Sequence, residues 1–177
     1  ELLILTGLGR LLIRPNFPSS GPEIEKGAQR ISGYVEGAFM LVRREALGRV
    51  GMLDEQAFMY SEDVDWCYRF QKAGYELWYL PNTPVIHHRG QSSRRRPSEA
   101  EADLYRGRVY FFGKHYGSAA ARSLKALIYL TAAVKMPIHR GLRAVTRGKR
   151  GRELPSWQML RSALDGTDVV HREAGTP

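Results

Sequence analysis

From residue 34 onward the apolar positions gather into short runs punctuated by glycine and proline, the texture of a domain that alternates strands with helices. Residues 37–42 (Gly-Ala-Phe-Met-Leu-Val) form a continuous apolar run that suits a buried strand. Residues 43–50 follow as a short helix closed by Gly51. Ser61 stands at the N-cap position of a second helix over 62–73, with Glu62 and Asp63 in its acidic first turn and Gly74 as its stop. Residues 76–80 and 85–87 have the composition of short strands, interrupted by Pro81 and Pro84. A further helix is predicted over 99–115.

The flanks read differently. The first thirteen residues are apolar, but glycine and Arg10 break them, and they are too short to span a bilayer; no charged segment precedes them as in a signal peptide. Residues 15–30 are rich in Pro, Gly and Ser and read as loop. Residues 124–138, within a helical segment over 118–140, are apolar yet interrupted by Lys125, Lys135 and Pro137. An interfacial amphipathic helix fits them, and so does a core or docking helix. Residues 141–177 are basic and weakly periodic, with one amphipathic turn at Trp157, Met159 and Leu160, and partial disorder is expected there. No internal repeat is visible.

Composition narrows the class. A chain of 177 residues with 43% apolar and 10% aromatic residues can bury a core. Lys and Arg outnumber Asp and Glu by 27 to 18. The excess lies after Ser92, in Arg94, Arg95 and Arg96 and then in Arg140, Arg143, Arg147, Lys149, Arg150 and Arg152. Such a surface attracts phosphate, whether in nucleic acid, in lipid headgroups or in a diphosphate-linked substrate. No zinc-finger or helix-turn-helix pattern supports a nucleic-acid reader. The lone cysteine, Cys67, excludes an internal disulfide framework and fits a cytoplasmic setting. The chain starts at Glu1 rather than Met, as a segment of a longer protein would.

The helix at 62–73 carries the candidate chemistry. At about 100° per residue, Asp65, Arg69 and Lys72 share one side, with Asp65 and Arg69 at ion-pair spacing, and that side reads as solvated. Asp63 faces the other way, toward Trp66, Cys67 and Phe70. It is either a cap for backbone N–H groups or a general base whose proton affinity is raised by burial and by the charge of Glu62. Asp63 and Asp65 also fit a D-x-D pattern, but residues two apart on a helix do not face one another and are a poor pair for one ion. His87 and His88 fall at the end of the short strand over 85–87, where at most one of them faces a given site.

These residues resemble the acceptor-side signature of family-2 glycosyltransferases, and most closely the rhamnosyltransferase-like branch. The resemblance runs from Gly37 and Ala38 through 41–46, 50–55 and 58–60 to Glu62, Asp63, Asp65 and Arg69. It continues with 73–75, Tyr79, Pro81, His87, His88, Gly90 and Ser92, and ends at 110–117. It implies an α/β architecture: a partial GT-A (Rossmann-like) fold over 1–117, of which 1–33 is mostly loop, followed by a helical extension over 118–140 and a basic tail over 141–177. It also implies inverting transfer of a sugar, rhamnose foremost, from a nucleoside diphosphate to a polysaccharide or polyprenyl-linked glycan, with Asp63 as base and Glu62 beside it. His87 would then face the metal or diphosphate. Gly37 and Ala38 would allow close approach of backbone to the sugar, and Arg94 and Arg95 would meet substrate phosphate. A divalent metal, Mg or Mn, is expected only together with a D-x-D half that family members carry ahead of this region. The segment alone is therefore expected to be inactive. A lipid-linked acceptor places such an enzyme at the inner face of the plasma membrane. The alternative reading is a basic module that binds membrane or phosphate without catalysis.

Overall fold

A computed structural model describes residues 27–57, 59–81, 84–88, 96–145 and 154–173. Among these residues the chain is mostly helical, with one two-stranded sheet, and it divides into two compact units near residue 90.

In the first unit, strand β1 (Gln29–Ile31) pairs antiparallel with β2 (Leu77–Tyr79), placing Ile31 opposite Leu77 and Arg30 opposite Trp78. Because side chains alternate along a strand, Ile31 and Leu77 turn into the core together while Arg30 and Trp78 stay outside. Glu76 ties that outer face, accepting from Trp78 Nε1 at 3.1 Å and meeting Arg30 at 3.3 Å. Helix α1 (Arg44–Val50) buries Ala46, and helix α2 (Glu62–Lys72) buries Trp66, Cys67 and Phe70 against it and the sheet.

The ends of these helices follow local rules. Gly51, at φ 83°, closes α1 with its N–H on the Leu47 carbonyl. Gly74, at φ 88°, ends α2 in a Schellman motif: its N–H bonds to Gln71 and the Tyr75 N–H reaches back to Phe70. The accompanying apolar contact is the edge-on Phe70–Tyr75 ring pair, 6.1 Å between centroids.

Three expectations for this unit are revised. Residues 37–42 are not a strand: 37–38 form a turn, no described strand runs beside the rest, and Leu41 is 81% exposed. Residues 84–88 are irregular and exposed, so the strand over 85–87 is absent as well. Conversely, the stretch read as loop ends in β1, which gains regular structure only by pairing with the distant β2, as in Gln29↔Tyr79 and Ile31↔Leu77. An apolar run becomes a strand through its partner, and that is not a local property.

The second unit is built from helix α3 (Pro97–Val145) and helix α4 (Trp157–Glu173). Gly117, at φ 87° and ψ 168°, breaks α3 into two rods, 97–116 and 118–145. The helix predicted over 99–115 thus belongs with this unit, and it starts at Pro97, in the first-turn position that proline favours. Val109, Ala121, Leu124, Ile128 and Met136 close on Leu160 and Leu164 of α4. Lys125 meets Asp165 at 3.1 Å while Tyr129 stacks on Trp157, so α4 runs antiparallel to the second rod. Arg106 Nε donates to the Ala163 carbonyl at 3.3 Å, joining α4 to the first rod. A helix therefore occupies 157–173, where disorder was expected: Ser156 caps it through the Met159 N–H at 3.2 Å, and two fully buried leucines anchor it. Among the described residues no helix is long and apolar enough to cross a membrane.

Candidate active site at the start of helix α2

The approach to α2 is strained. Tyr60 and Ser61 both take left-handed backbone angles, φ 64° and 70°, at a cost of roughly 1–2 kcal/mol each for non-glycine residues. In that conformation Ser61 makes no side-chain cap, contrary to its expected role; its carbonyl only accepts the Asp65 N–H at 2.8 Å.

Asp63 takes over part of the capping. Its Oδ1 accepts the Val64 N–H at 2.8 Å, a carboxylate placed at the positive end of the helix dipole. Its Oδ2 accepts the N–H of Gly37, 26 residues earlier, at 3.0 Å. A Cβ on residue 37 would lie 3.4 Å from Asp63 Cβ and 3.7 Å from Oδ2, ordinary contact distances, so the turn sits directly against the carboxylate. Two sites singled out in the sequence, the Gly37 turn with the adjoining exposed Ala38 and the acidic start of α2, are thereby brought together.

Glu62 is placed differently. Its Oε2 is buried and has no hydrogen-bond partner among the described residues. Burial pushes its carboxyl above the ordinary value, a backbone N–H pulls it back, and the charge of Asp63 adds a smaller upward push.

The side of α2 read as solvated is mostly not so. Asp65 is 1% exposed, and its Oδ2 holds Arg69 Nε at 2.7 Å. The same guanidinium donates to the carbonyls of Val50 at 2.8 Å and Met52 at 2.7 Å. Trp66 Nε1 donates to the Gly51 carbonyl at 3.0 Å, and the Cys67 thiol lies 3.9 Å from the Val35 carbonyl. The predicted ion pair is present. It is buried because the 50–52 loop folds onto it, and only Lys72, lying over the Tyr68 ring, stays outside. Arg69 is thus a clamp that sequence reasoning took for a surface residue; its signal was the residue type, since a rigid fork of donors suits the capture of several acceptors.

The remaining site residues are not gathered here. His87 and His88 are exposed on the irregular 84–88 segment, so the alternation argument has no strand to rest on. Gly90, Ser92, Arg94 and Arg95 lie outside the described residues. With Asp63 committed to two N–H groups and Asp65 to Arg69, the D-x-D pair is not arranged as a metal site. Among the described residues no three His, Cys, Asp or Glu side chains form a set that would hold a metal ion.

The chain is 33% identical over 127 residues to the N-acetylglucosaminyl-diphospho-decaprenol L-rhamnosyltransferase of Mycobacterium tuberculosis, in two strains. The match covers 72% of this chain and 41% of that protein. It is also 42% identical over 67 residues to the rhamnosyltransferase WbbL of Escherichia coli K12, covering 38% of this chain and 25% of that protein. The chain therefore spans about two fifths of the length of the longer-matching curated relatives, and the similarity is that of a partial rhamnosyltransferase-like glycosyltransferase. No family model matches. No solved structure matches either.

Proposed function

We propose that this chain supplies the acceptor-side portion of an inverting, family-2 glycosyltransferase of the GT-A type, which moves rhamnose from a nucleoside diphosphate to a lipid-linked or polysaccharide acceptor at the cytoplasmic face of the membrane. The observation that carries the reading is the bond from the Gly37 N–H to Asp63 Oδ2, which fixes a half-buried carboxylate beside an open backbone turn. The named activity of the relatives supplies the sugar.

In this reading the acceptor hydroxyl oxygen attacks the anomeric carbon of the donor as the bond from that carbon to the diphosphate oxygen breaks. The hydroxyl proton passes to Asp63. Each Asp63 oxygen accepts one backbone N–H and keeps a second lone pair for the hydroxyl. The two N–H bonds hold the carboxylate in one orientation, so little reorganisation is needed as the proton moves. Glu62, half-buried beside it, feels the charge of Asp63 as a small upward push on its own carboxyl. The described residues contain no three-ligand metal set, and no step in this account passes through a metal.

The test uses the polypeptide that carries this chain, a nucleoside diphosphate rhamnose and a polyprenyl-diphosphate N-acetylglucosamine acceptor. Asp63→Asn should lower the transfer rate by about 10²–10⁴-fold, the usual worth of a general base, while donor binding is kept. A variant within about threefold of the parent rate would exclude Asp63 as the base.

A further inference from the structure

The second rod of α3 carries two apolar faces, and only one is used inside the unit. Leu124, Ile128 and Met136 are buried against α4 and the first rod. On the other side Leu130, Val134 and Ile138 follow one another at i, i+4 and i+8 and are 64%, 57% and 58% exposed. At about 100° per residue Ala126, Ala133 and Pro137 fall on the same strip, and all are exposed. The strip bears no charge. Arg122 and Arg140, both exposed, lie along one edge of it.

Charge identifies what covers this face. The sequence has no Asp or Glu between Asp103 and Glu153, and directly after the strip come Arg140, Arg143, Arg147, Lys149, Arg150 and Arg152. A second copy of the chain would bring the same positive charge against itself. Nucleic acid would match the charge but leave the leucine, valine and isoleucine without a partner. A bilayer with anionic headgroups satisfies both, with acyl chains under the strip and phosphates along its basic edge. We infer that residues 118–145 lie on an anionic lipid surface through Leu130, Val134 and Ile138, and that Arg122 and Arg140 along the edge of the strip bind its headgroups. The inference stands on this rod alone and is independent of whether the chain transfers sugar.

The experiment is sedimentation of the 177-residue chain with phosphatidylcholine vesicles and with mixed phosphatidylcholine–phosphatidylglycerol vesicles, at low and high salt. Binding is expected to the anionic vesicles, weakening as salt rises. Leu130→Asp combined with Ile138→Asp should weaken it by about tenfold or more, and Arg122→Gln combined with Arg140→Gln should remove much of the preference for anionic lipid. All four positions are exposed, and unchanged circular dichroism checks that the variants fold. Equal binding to neutral vesicles would overturn the role of charge. Binding to anionic vesicles that ignores the aspartate pair would overturn the apolar strip, and failure to sediment with either vesicle would overturn the whole inference. A concentration-dependent dimer abolished by the aspartate pair would assign the face to a second copy instead.

Discussion

Removing the Arg69 side chain should destabilise the first unit far more than the loss of an ordinary helix ion pair would. Asp65 is 1% exposed and its partner sits 2.7 Å away, so Arg69→Ala leaves a carboxylate in the core without its counter-ion. Breaking a buried pair by deleting one member costs about 3–5 kcal/mol, and the Val50 carbonyl, half-buried, loses a donor worth about 1 kcal/mol more. Met52 is exposed and water replaces its lost donor. Because Arg69 itself keeps 20% exposure, the lower end of the range applies, for a total of about 4 kcal/mol. That is a large share of the roughly 5–15 kcal/mol that holds a domain together. Urea unfolding of the whole chain in a Trp157→Phe background, followed by the fluorescence of Trp66 and Trp78, gives the measurement. Arg69→Lys should fall between, since an ammonium keeps the charge but cannot hold three acceptors in one plane. Asp65→Asn should cost less than Arg69→Ala, because a partly exposed guanidinium can turn to water and a buried carboxylate cannot. A loss below about 1 kcal/mol for Arg69→Ala is the value for a solvated pair and would refute the clamp.

Gly74→Ala places a side chain at φ 88° in the Schellman cap and should cost about 1–2 kcal/mol in the same unfolding assay. For Glu62 the direction follows from burial. Its folded carboxyl is raised, so its stabilising contribution is fully present in acid, below the unfolded value, and is lost as pH rises through the folded value. Glu62→Gln should therefore be more stable than the parent at neutral pH, with the advantage vanishing in acid; urea midpoints across pH read it out. Leu160→Ala opens a cavity between α4 and α3 and should cost about 2–5 kcal/mol, seen as a lower thermal midpoint of the helical circular dichroism.

What could be read from the sequence was what neighbours in the chain decide. The extent of α2, the stops at Gly51 and Gly74 and the Asp65–Arg69 spacing all depend on groups within a few residues of one another. What could not be read depends on partners far along the chain. The run at 37–42 has a strand's composition but no neighbouring strand among the described residues, whereas the unremarkable Gln29–Ile31 is a strand because Leu77–Tyr79 lies beside it. The tail is basic and weakly periodic, which favoured partial disorder, yet Leu160 and Leu164 find a ready-made apolar surface on α3. Local propensity yields to burial in such cases. The contact between Gly37 and Asp63 left no local trace, and only the family resemblance placed both residues in one site.

The two aspartates of α2 show how one short helix separates a charge committed to the fold from the one proposed as the base. They sit two residues apart, so the helix turns them to different sides, and their surroundings complete the division. Asp65 is paired, buried and held under the 50–52 loop, which commits it to the fold. Asp63 is half-buried and, among the described residues, bound by neutral N–H donors, which orient a carboxylate without supplying a counter-ion. The left-handed pair Tyr60 and Ser61 sets the direction from which the chain enters the helix, and so where Asp63 lies relative to the Gly37 turn. Arg69 fixes the same helix from its other side through Val50 and Met52. Loosening that clamp while the unit stays folded, as in Arg69→Lys, should therefore disturb the orientation of Asp63 before it disturbs the core, and should lower the transfer rate more than it lowers donor binding.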